Sequence, residues 1–226
     1  EATATLFPDS FEESELGRVP KGWGVGSILD IASLLSGGTP KTDRPEYWGG
    51  GIPWASAKDV SQSKGSVLIA TERSITLQGL NESSTRMIPA LATAIVARGA
   101  TTGRMVLLGE DMAMNQTCYA LSSKIDTPLA LHCLLRREVD TLVNAAHGSV
   151  FDTITTNTFA QSKILQPSQP VLQHFEEIVS PLFEKIVEGT KTLSTLATLR
   201  DTLLPRLISG QLHLPEAESL LEEAAA

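Results

Sequence analysis

From Gln169 to Gly210 the chain reads QPVLQHFEEIVSPLFEKIVEGTKTLSTLATLRDTLLPRLISG. Apolar side chains recur at two positions of a seven-residue repeat over about five repeats, which predicts one long helix with a coiled-coil seam. Pro170 suits the first turn and Gly210 the C-terminal stop, so we expect the helix over residues 168–210, with a kink at Pro181. The predicted seam, a partner interface, consists of Leu172, Phe175, Val179, Leu182, Ile186, Leu193, Leu196, Leu203 and Leu207.

A helix of this length extends for roughly 57 Å at 1.5 Å per residue. A domain of this size cannot cover its whole apolar stripe, so we expect it to pair with another long helix. The alternative is a helix that folds back on its own domain. Residues 211–226 are acidic and alanine-rich, and are expected to form a frayed tail.

The preceding 167 residues predict a domain of α/β (α+β) class with many short strands, since no βαβ repeat supports a doubly wound sheet. Residues 1–23 are expected to be a surface lead-in, and residues 43–54 a long loop rich in glycine and proline. The remaining expected elements are a short strand or helix ending at Leu35, strands at Val67–Ala70, Ala94–Ala97, Met105–Leu108, Thr117–Leu121 and Ile164–Pro167, and a helix at Pro128–Ala145.

Composition indicates a globular protein, with 42% hydrophobic residues among 226 and a formal net charge of −8. The charge is uneven: residues 36–104 hold eight basic and five acidic side chains, which is a mildly basic segment. The sequence shows neither a membrane span nor a secretory signal, so we expect a cytoplasmic protein with no membrane contact. Cys118 and Cys133 are therefore expected to be free, buried, reduced thiols.

Catalytic and metal-binding patterns were sought and not found. The four histidines, His132, His147, His174 and His213, are scattered, and none lies at metal-ligand spacing. His132 falls in an apolar helix, where packing is the more common role. No nucleophile elbow, phosphate loop or cofactor-binding glycine pattern occurs. We expect neither catalysis nor a metal nor a cofactor in this chain, with an unrecognised active site as an alternative.

Several polar loops carry the side chains that read DNA bases. Arginine pairs with guanine, glutamine with adenine, and lysine and threonine with phosphates or base edges, although most polar loops are simply solvated. Trp48 and Trp54 are expected to anchor their loop in the core. The candidate DNA contacts are Thr39, Lys41, Arg44, Lys58, Arg73, Arg86, Arg98, Thr101, Thr102, Arg104 and Gln116.

Two segments give the chain a family resemblance, namely Gly37-Gly38-Thr39-Pro40 and Tyr47-Trp48-Gly49-Gly50-Gly51-Ile52-Pro53-Trp54. With Lys58-Asp59-Val60, Asn115-Gln116 and the ending Leu199-Arg200-Asp201-Thr202-Leu203-Leu204-Pro205-Arg206, they resemble the specificity subunits of Type I restriction–modification enzymes. The resemblance covers residues 6–212.

The resemblance implies a target recognition domain (residues 1–167) followed by a conserved spacer helix. A full specificity subunit has two such domains, each reading half of a split DNA site, and two helices packed antiparallel. It implies that double-stranded DNA and modification (methyltransferase) subunits are partners, and that a restriction subunit can join. S-adenosylmethionine would bind the modification subunit. Because this chain has one domain and one helix, we expect two copies to pair as a homodimer through the seam.

A second hypothesis is a protein-interaction module that docks through its long helix and never touches DNA. The heptads and the acidic ends fit both hypotheses. A salt-dependent affinity for duplex DNA separates them, because DNA binding requires it and a scaffold lacks it.

Overall fold

The computed structural model describes residues 10–63, 65–147 and 153–211. The strands are β1 (Phe11–Ser14), β2 (Gly17–Pro20), β3 (Gly24–Ser27), β4 (Ala32–Ser36), β5 (Trp48–Ala55), β6 (Val67–Leu68), β7 (Arg73–Ile75), β8 (Met87–Ile88), β9 (Thr93–Val96), β10 (Met105–Leu108), β11 (Met112–Met114), β12 (Cys118–Ser123) and β13 (Lys163–Gln166). The helices are α1 (Ile28–Ile31), α2 (Ala57–Gln62), α3 (Leu77–Asn81), α4 (Pro128–His147), α5 (Thr156–Gln161) and α6 (Gln169–Ile208). The chain divides into two units, residues 1–183 and residues 184–226.

Two sheets and two small ribbons make up the first unit. The larger sheet has five strands in the order β4-β12-β9-β10-β6, antiparallel except for the pair β10 and β6. The smaller sheet has four strands in the order β7-β5-β11-β8, in which β5 and β11 run parallel. The ribbons pair β1 with β2 and β13 with β3. The fold class is therefore the mixed α/β arrangement of many short strands that the sequence predicts.

The core lies on both faces of the five-stranded sheet, as β9 shows most clearly. Ala94 and Val96 face a cluster that includes residues of α2 and β11, whereas Ile95 faces a cluster with residues of α4 and α5. Every side chain of β9 is buried. A strand covered on both faces has no reason to alternate with polar residues, which explains its continuous apolar sequence.

Local signals position the short helices. Ser27, Ser56 and Thr155 are each the N-cap of a helix. In each case the side chain three residues later accepts a hydrogen bond from the backbone amide of the N-cap residue, which completes a capping box. The segment expected as a short strand or helix contains both, since α1 is followed directly by β4. The surface lead-in forms the β1–β2 hairpin from Phe11 onward, and residues 1–9 lie outside the described residues.

One predicted loop is wrong. Residues 43–54 are not a loop throughout, because β5 begins at Trp48. Glycine and proline disfavour a strand locally, but β7 and β11 supply hydrogen-bond partners from distant parts of the sequence. The glycines are accommodated by an irregular register against β7 between Trp48 and Ile52. Tertiary pairing thus overrides the local preference.

The predicted helix near the end of the chain is confirmed as α6, Gln169–Ile208. Its C-terminus closes as the sequence predicts, with the Gly210 amide donating to the Leu207 carbonyl and the Gln211 amide to the Arg206 carbonyl. The helix continues through Pro181. The expected acidic tail from residue 212 onward lies outside the described residues.

Candidate nucleic-acid interface

Three connections leave one end of the five-stranded sheet. β4 ends at Ser36, which pairs with Tyr119 near the start of β12, and β9 ends at Val96, which pairs with Cys118. β10 begins beside the end of β9 because the two strands are antiparallel. These connections therefore lie side by side, and together we name them the loop edge. The loop edge comprises residues 37–44, 97–104 and 115–117.

Two tryptophans of β5 hold the first of these connections. The Nε1 of Trp48 donates to the Lys41 carbonyl at 3.1 Å, and the Nε1 of Trp54 donates to the Gly38 carbonyl at 3.0 Å. The two rings meet edge to face with centroids 5.2 Å apart. Trp54 is buried, and Trp48 is partly exposed. Both indoles thus anchor residues 38–41 rather than their own segment, which is a strand, and of the two only Trp54 is buried as expected.

The Gly37–Gly38 pair brings this connection against the one that precedes β12. The Gly38 amide donates to the Met114 carbonyl at 2.8 Å. A Cβ on Gly37 would lie 2.2 Å from that same carbonyl oxygen, so a side chain there would push the two segments apart. The close approach lets the Thr39 hydroxyl donate to Oε1 of Gln116. Two candidate base readers, 77 residues apart in sequence, are therefore in direct contact.

Arg73 and Arg86 reach the same region from the four-stranded sheet. The Arg73 guanidinium lies 3.5 Å from the centroid of the Trp48 ring, a cation–π contact that holds its exposed side chain over the anchored loop. Arg86 is exposed and directly follows Thr85, whose hydroxyl donates to the Met114 carbonyl at 3.0 Å. Arg73 therefore lies by the connection at residues 37–44, and Arg86 follows a residue bonded to the end of β11, just before the connection that carries Gln116.

Two other candidate cations are paired with acids. Arg44 forms an ion pair with Glu46 at 3.1 Å, and Lys58 forms one with Glu72 at 2.6 Å. The hydrogen bond with Glu72 raises the pKa of the Lys58 ammonium. All four side chains are exposed, so these pairs are weak and can exchange partners.

The connection between β9 and β10 is a tight turn that presents two arginines. The Thr102 hydroxyl and amide both donate to the Gly99 carbonyl, at 2.7 and 3.1 Å, and the Arg104 amide donates to the Thr101 carbonyl. Arg98, Thr101 and Arg104 are exposed. Within the part of the chain that the structure describes, neither arginine has an acidic group within ion-pair distance.

The structure thus places eight of the eleven candidate DNA contacts on the loop edge, namely Thr39, Lys41, Arg44, Arg98, Thr101, Thr102, Arg104 and Gln116. Arg73 and Arg86 lie next to it, through Trp48 and Thr85, whereas Lys58 lies in α2. Sequence reasoning missed Arg136, an exposed residue of α4 that lines a cleft with Arg104. The sequence assigns α4 a packing role only. Thirty-two positions separate the two arginines, and no local pattern indicates that a turn and a helix so far apart in sequence will meet.

The long helix exposes apolar side chains in each unit. In the first unit, Val171, Phe175, Ile178 and Leu182 are between 37% and 58% exposed, at spacings of four, three and four residues. This is the spacing of one helix face. The predicted seam member Leu172 is only 4% exposed, so its side chain is already covered within the chain, and Val179 is partly covered.

In the second unit the exposed apolar side chains are Ile186, Leu193, Leu196, Leu204 and Ile208. Leu203 is 8% exposed and is therefore covered within this chain, whereas Leu207, which packs against it, is partly buried. The nine predicted seam residues thus differ in exposure within this chain, and the seam as a partner interface stays a prediction. A strict heptad count selects some positions on the covered side of the helix, because an α-helix has 3.6 rather than 3.5 residues per turn.

The titratable groups of the interior indicate packing roles. His132 is buried, its Nδ1 lies 3.1 Å from the Thr93 hydroxyl, and burial together with Arg136 lowers its pKa to about 4. Burial raises the pKa of the Cys118 thiol to about 11. The two cysteines are free, but Cys133 is exposed rather than buried, because it lies on the outer side of α4. Among the described residues there is no cluster of potential metal ligands and no helix able to cross a membrane.

Comparison with known proteins places the chain among restriction–modification components. A family model described as the Type I restriction modification DNA specificity domain matches residues 20–195. The Type I restriction enzyme MjaIX specificity subunit of Methanocaldococcus jannaschii is 29% identical over 184 residues, which are 80% of this chain and 42% of that protein. The EcoR124I/EcoR124II specificity subunit of Escherichia coli is 33% identical over 173 residues, 72% of this chain and 42% of that protein.

A third relative, the HindI specificity subunit of Haemophilus influenzae, is 25% identical over 93% of this chain and 47% of its own length. This chain thus spans less than half the length of these relatives. Two solved structures share the fold at 16% identity: an S subunit from M. genitalium (TM-score 0.59, 81% of this chain, 45% of that chain) and an HsdS subunit from Thermoanaerobacter tengcongensis (TM-score 0.54, 93% and 50%).

Proposed function

The chain belongs to the family of Type I restriction–modification DNA specificity domains, and on this premise we propose that it reads one half of a split DNA sequence. The family match over residues 20–195 carries the proposal, and the loop edge is the surface that we expect to contact the DNA. Four candidate contacts with complementary chemistry support it: Thr39, Lys41, Arg98 and Gln116 lie on connections at one end of one sheet.

The chemistry of the loop edge suits the major groove. A glutamine amide can both donate to and accept from adenine, and an arginine can donate twice to guanine. The contact from Thr39 fixes the side-chain amide of Gln116 before DNA arrives, which reduces the ordering cost of binding. Arg73, already stacked on Trp48, has the same advantage. We assign base reading to these side chains and backbone contact to the exposed lysines and to the remaining arginines.

The proposal assigns catalysis to partners. The chain directs modification subunits to the site; those subunits bind S-adenosylmethionine and methylate the base, and a restriction subunit joins the same complex. This chain itself holds no cofactor. The recognition domain described here reads one half-site, and a second recognition domain reads the other. A second copy, paired through the exposed face of α6, would supply that domain.

The test uses the full chain with its cognate modification subunit. The complex is mixed with a library of duplexes, and the bound sequences are determined at several salt concentrations. We expect one split sequence to be enriched strongly, and the affinity to fall steeply with salt as phosphate contacts release counterions. A stable complex with no sequence preference would refute the recognition role. A complex that binds no duplex at any salt concentration would favour the interaction-module hypothesis.

A further inference from the structure

A cleft of about 390 Å³ lies between the arginine turn of the loop edge and α4. Its walls are Thr102–Met105 on one side and Arg136, Val139, Asp140 and Val143 on the other. The cleft lies in the first unit, immediately beside the turn that presents Arg98. The turn that forms one of its walls lies at the same end of the sheet as the candidate base readers.

Gly103 fixes the width of this cleft. Its φ is +89°, and a Cβ there would lie 2.4 Å from a Cγ atom of Val143. The turn is therefore packed directly against the helix. The neighbouring Arg104 lines the same cleft as Arg136. Two guanidinium groups that line one cleft offer several charge-assisted donors to a small anion.

The charges around the cleft favour an anion. Arg104 and Arg136 are both exposed, and neither has an ion-pair partner among the residues described here. The next residue, Arg137, differs because it is paired with Glu138 at 3.6 Å. Asp140 lines the wall one turn from Arg136 and is the one acidic side chain among the lining residues. Two cations against one anion leave the cleft positive.

We propose that the cleft between Arg104 and Arg136 holds a phosphate of the DNA backbone beside the bases read by the loop edge. This inference rests on the proposed function. A phosphate carries no sequence information, so the cleft would set the register and orientation of the domain on the duplex while the loop edge reads the bases. Arg104 then acts as a backbone contact rather than a base reader.

The experiment compares Arg104→Gln, Arg136→Gln and the double variant with wild type, and uses Arg137→Gln as a matched control on the same helix. Each protein, in complex with the modification subunit, is titrated with the preferred duplex and a scrambled duplex across a salt series. We expect each single variant to weaken both duplexes by a similar factor of about ten. We also expect the double variant to reduce the salt slope by about 0.9, the value for one phosphate contact. The control is expected to match wild type.

The outcomes separate the two proposals. If wild type prefers no duplex, the proposed function fails and the cleft assignment fails with it. If wild type shows its preference but the cleft variants match Arg137→Gln, the cleft assignment alone is overturned. Relaxed specificity at a single base pair in Arg104→Gln would also overturn it, because that is the behaviour of a base reader. If inorganic phosphate binds at millimolar concentration in an Arg136-dependent manner without weakening duplex binding, the site is one for free anions and the assignment to DNA is wrong.

Discussion

At the scale of single residues, His132 makes the free energy of unfolding depend on pH. Its pKa is lowered from an ordinary 6.5 to about 4, first by burial and then by Arg136, so the folded protein holds it neutral. Between these two values the unfolded chain binds a proton that the folded chain does not. Stability is therefore complete above pH 6.5 and declines as the pH falls toward 4, by at most about 3 kcal/mol.

The prediction for His132 is checked by chemical denaturation at pH 7.0 and pH 4.5. Wild type should lose more unfolding free energy between these conditions than His132→Gln, whose side chain does not titrate and can still bond to the Thr93 hydroxyl. Equal losses in the two proteins would show that His132 is protonated in the folded state at the lower pH.

Gly103 provides the second prediction at this scale. Gly103→Ala introduces both a left-handed alanine and a clash with Val143, whereas Gly99→Ala introduces only the former, since φ is +99° and no atom lies within 4 Å of its Cβ position. We expect losses of about 1–2 kcal/mol for Gly99→Ala and about 1 kcal/mol more for Gly103→Ala. Similar unfolding free energies for the two variants would show that the turn is not packed tightly on α4.

At the scale of secondary-structure elements, Glu176 joins the first turns of α6 to the start of α4. Its two carboxylate oxygens accept from the amides of Leu129 and Ala130, each at 3.0 Å, in the first turn of α4. Those amides have no partner within their own helix, and the positive end of the helix dipole favours a carboxylate there. One side chain thereby caps one helix while belonging to another.

Removing this charge should be costly, and the neighbouring residue gives the control. We expect Glu176→Gln to lower the unfolding free energy by about 1–2 kcal/mol, since it keeps one acceptor and loses the charge. Glu177→Gln should cost less than about 0.5 kcal/mol, because its partner His174 is exposed and 3.5 Å away. Denaturant titration of both variants decides the matter. A cost that is the same at the two positions would mean that Glu176 does not cap α4 in solution.

At the scale of the whole molecule, the exposed apolar face of α6 predicts self-association. Leu193 is 69% exposed, so a charge there should leave the fold of a single copy unaffected. If two copies pair through this face, Leu193→Glu buries a charge in each copy at the interface. We expect a rise of at least about 100-fold in the dissociation constant. Ser194→Glu, an exposed neighbour on a different face of the helix, is the control.

Sedimentation equilibrium of the full chain over micromolar concentrations measures this effect. Wild type and Ser194→Glu should be dimeric where Leu193→Glu is monomeric. A wild-type chain that remains monomeric at tens of micromolar would refute self-association through this face. Dimers in all three proteins would place the contact elsewhere.

The amino-acid sequence by itself determined the features that depend on neighbouring residues. The heptad spacing and Gly210 specified a helix that ends where the structure ends it, and the apolar run Ala94–Ala97 specified a strand that the structure has at Thr93–Val96. Helix periodicity, caps and strand-length apolar runs are local, so a single stretch of chain carries the whole signal. The sequence also shows which loops carry side chains able to form hydrogen bonds with bases, because residue type alone decides which hydrogen bonds are possible.

The tertiary structure alone decided which of these parts meet. The strand at Trp48–Ala55 exists because β7 and β11 pair with it, although its own glycines disfavour it. The contact of Thr39 with Gln116 depends on strand order, as does the cleft between Arg104 and Arg136. Leu172 is buried because the domain covers that side of α6, and the sequence of the helix alone does not indicate which side is covered. Such contacts arise from packing between distant segments, and their energy appears only when those segments are brought together.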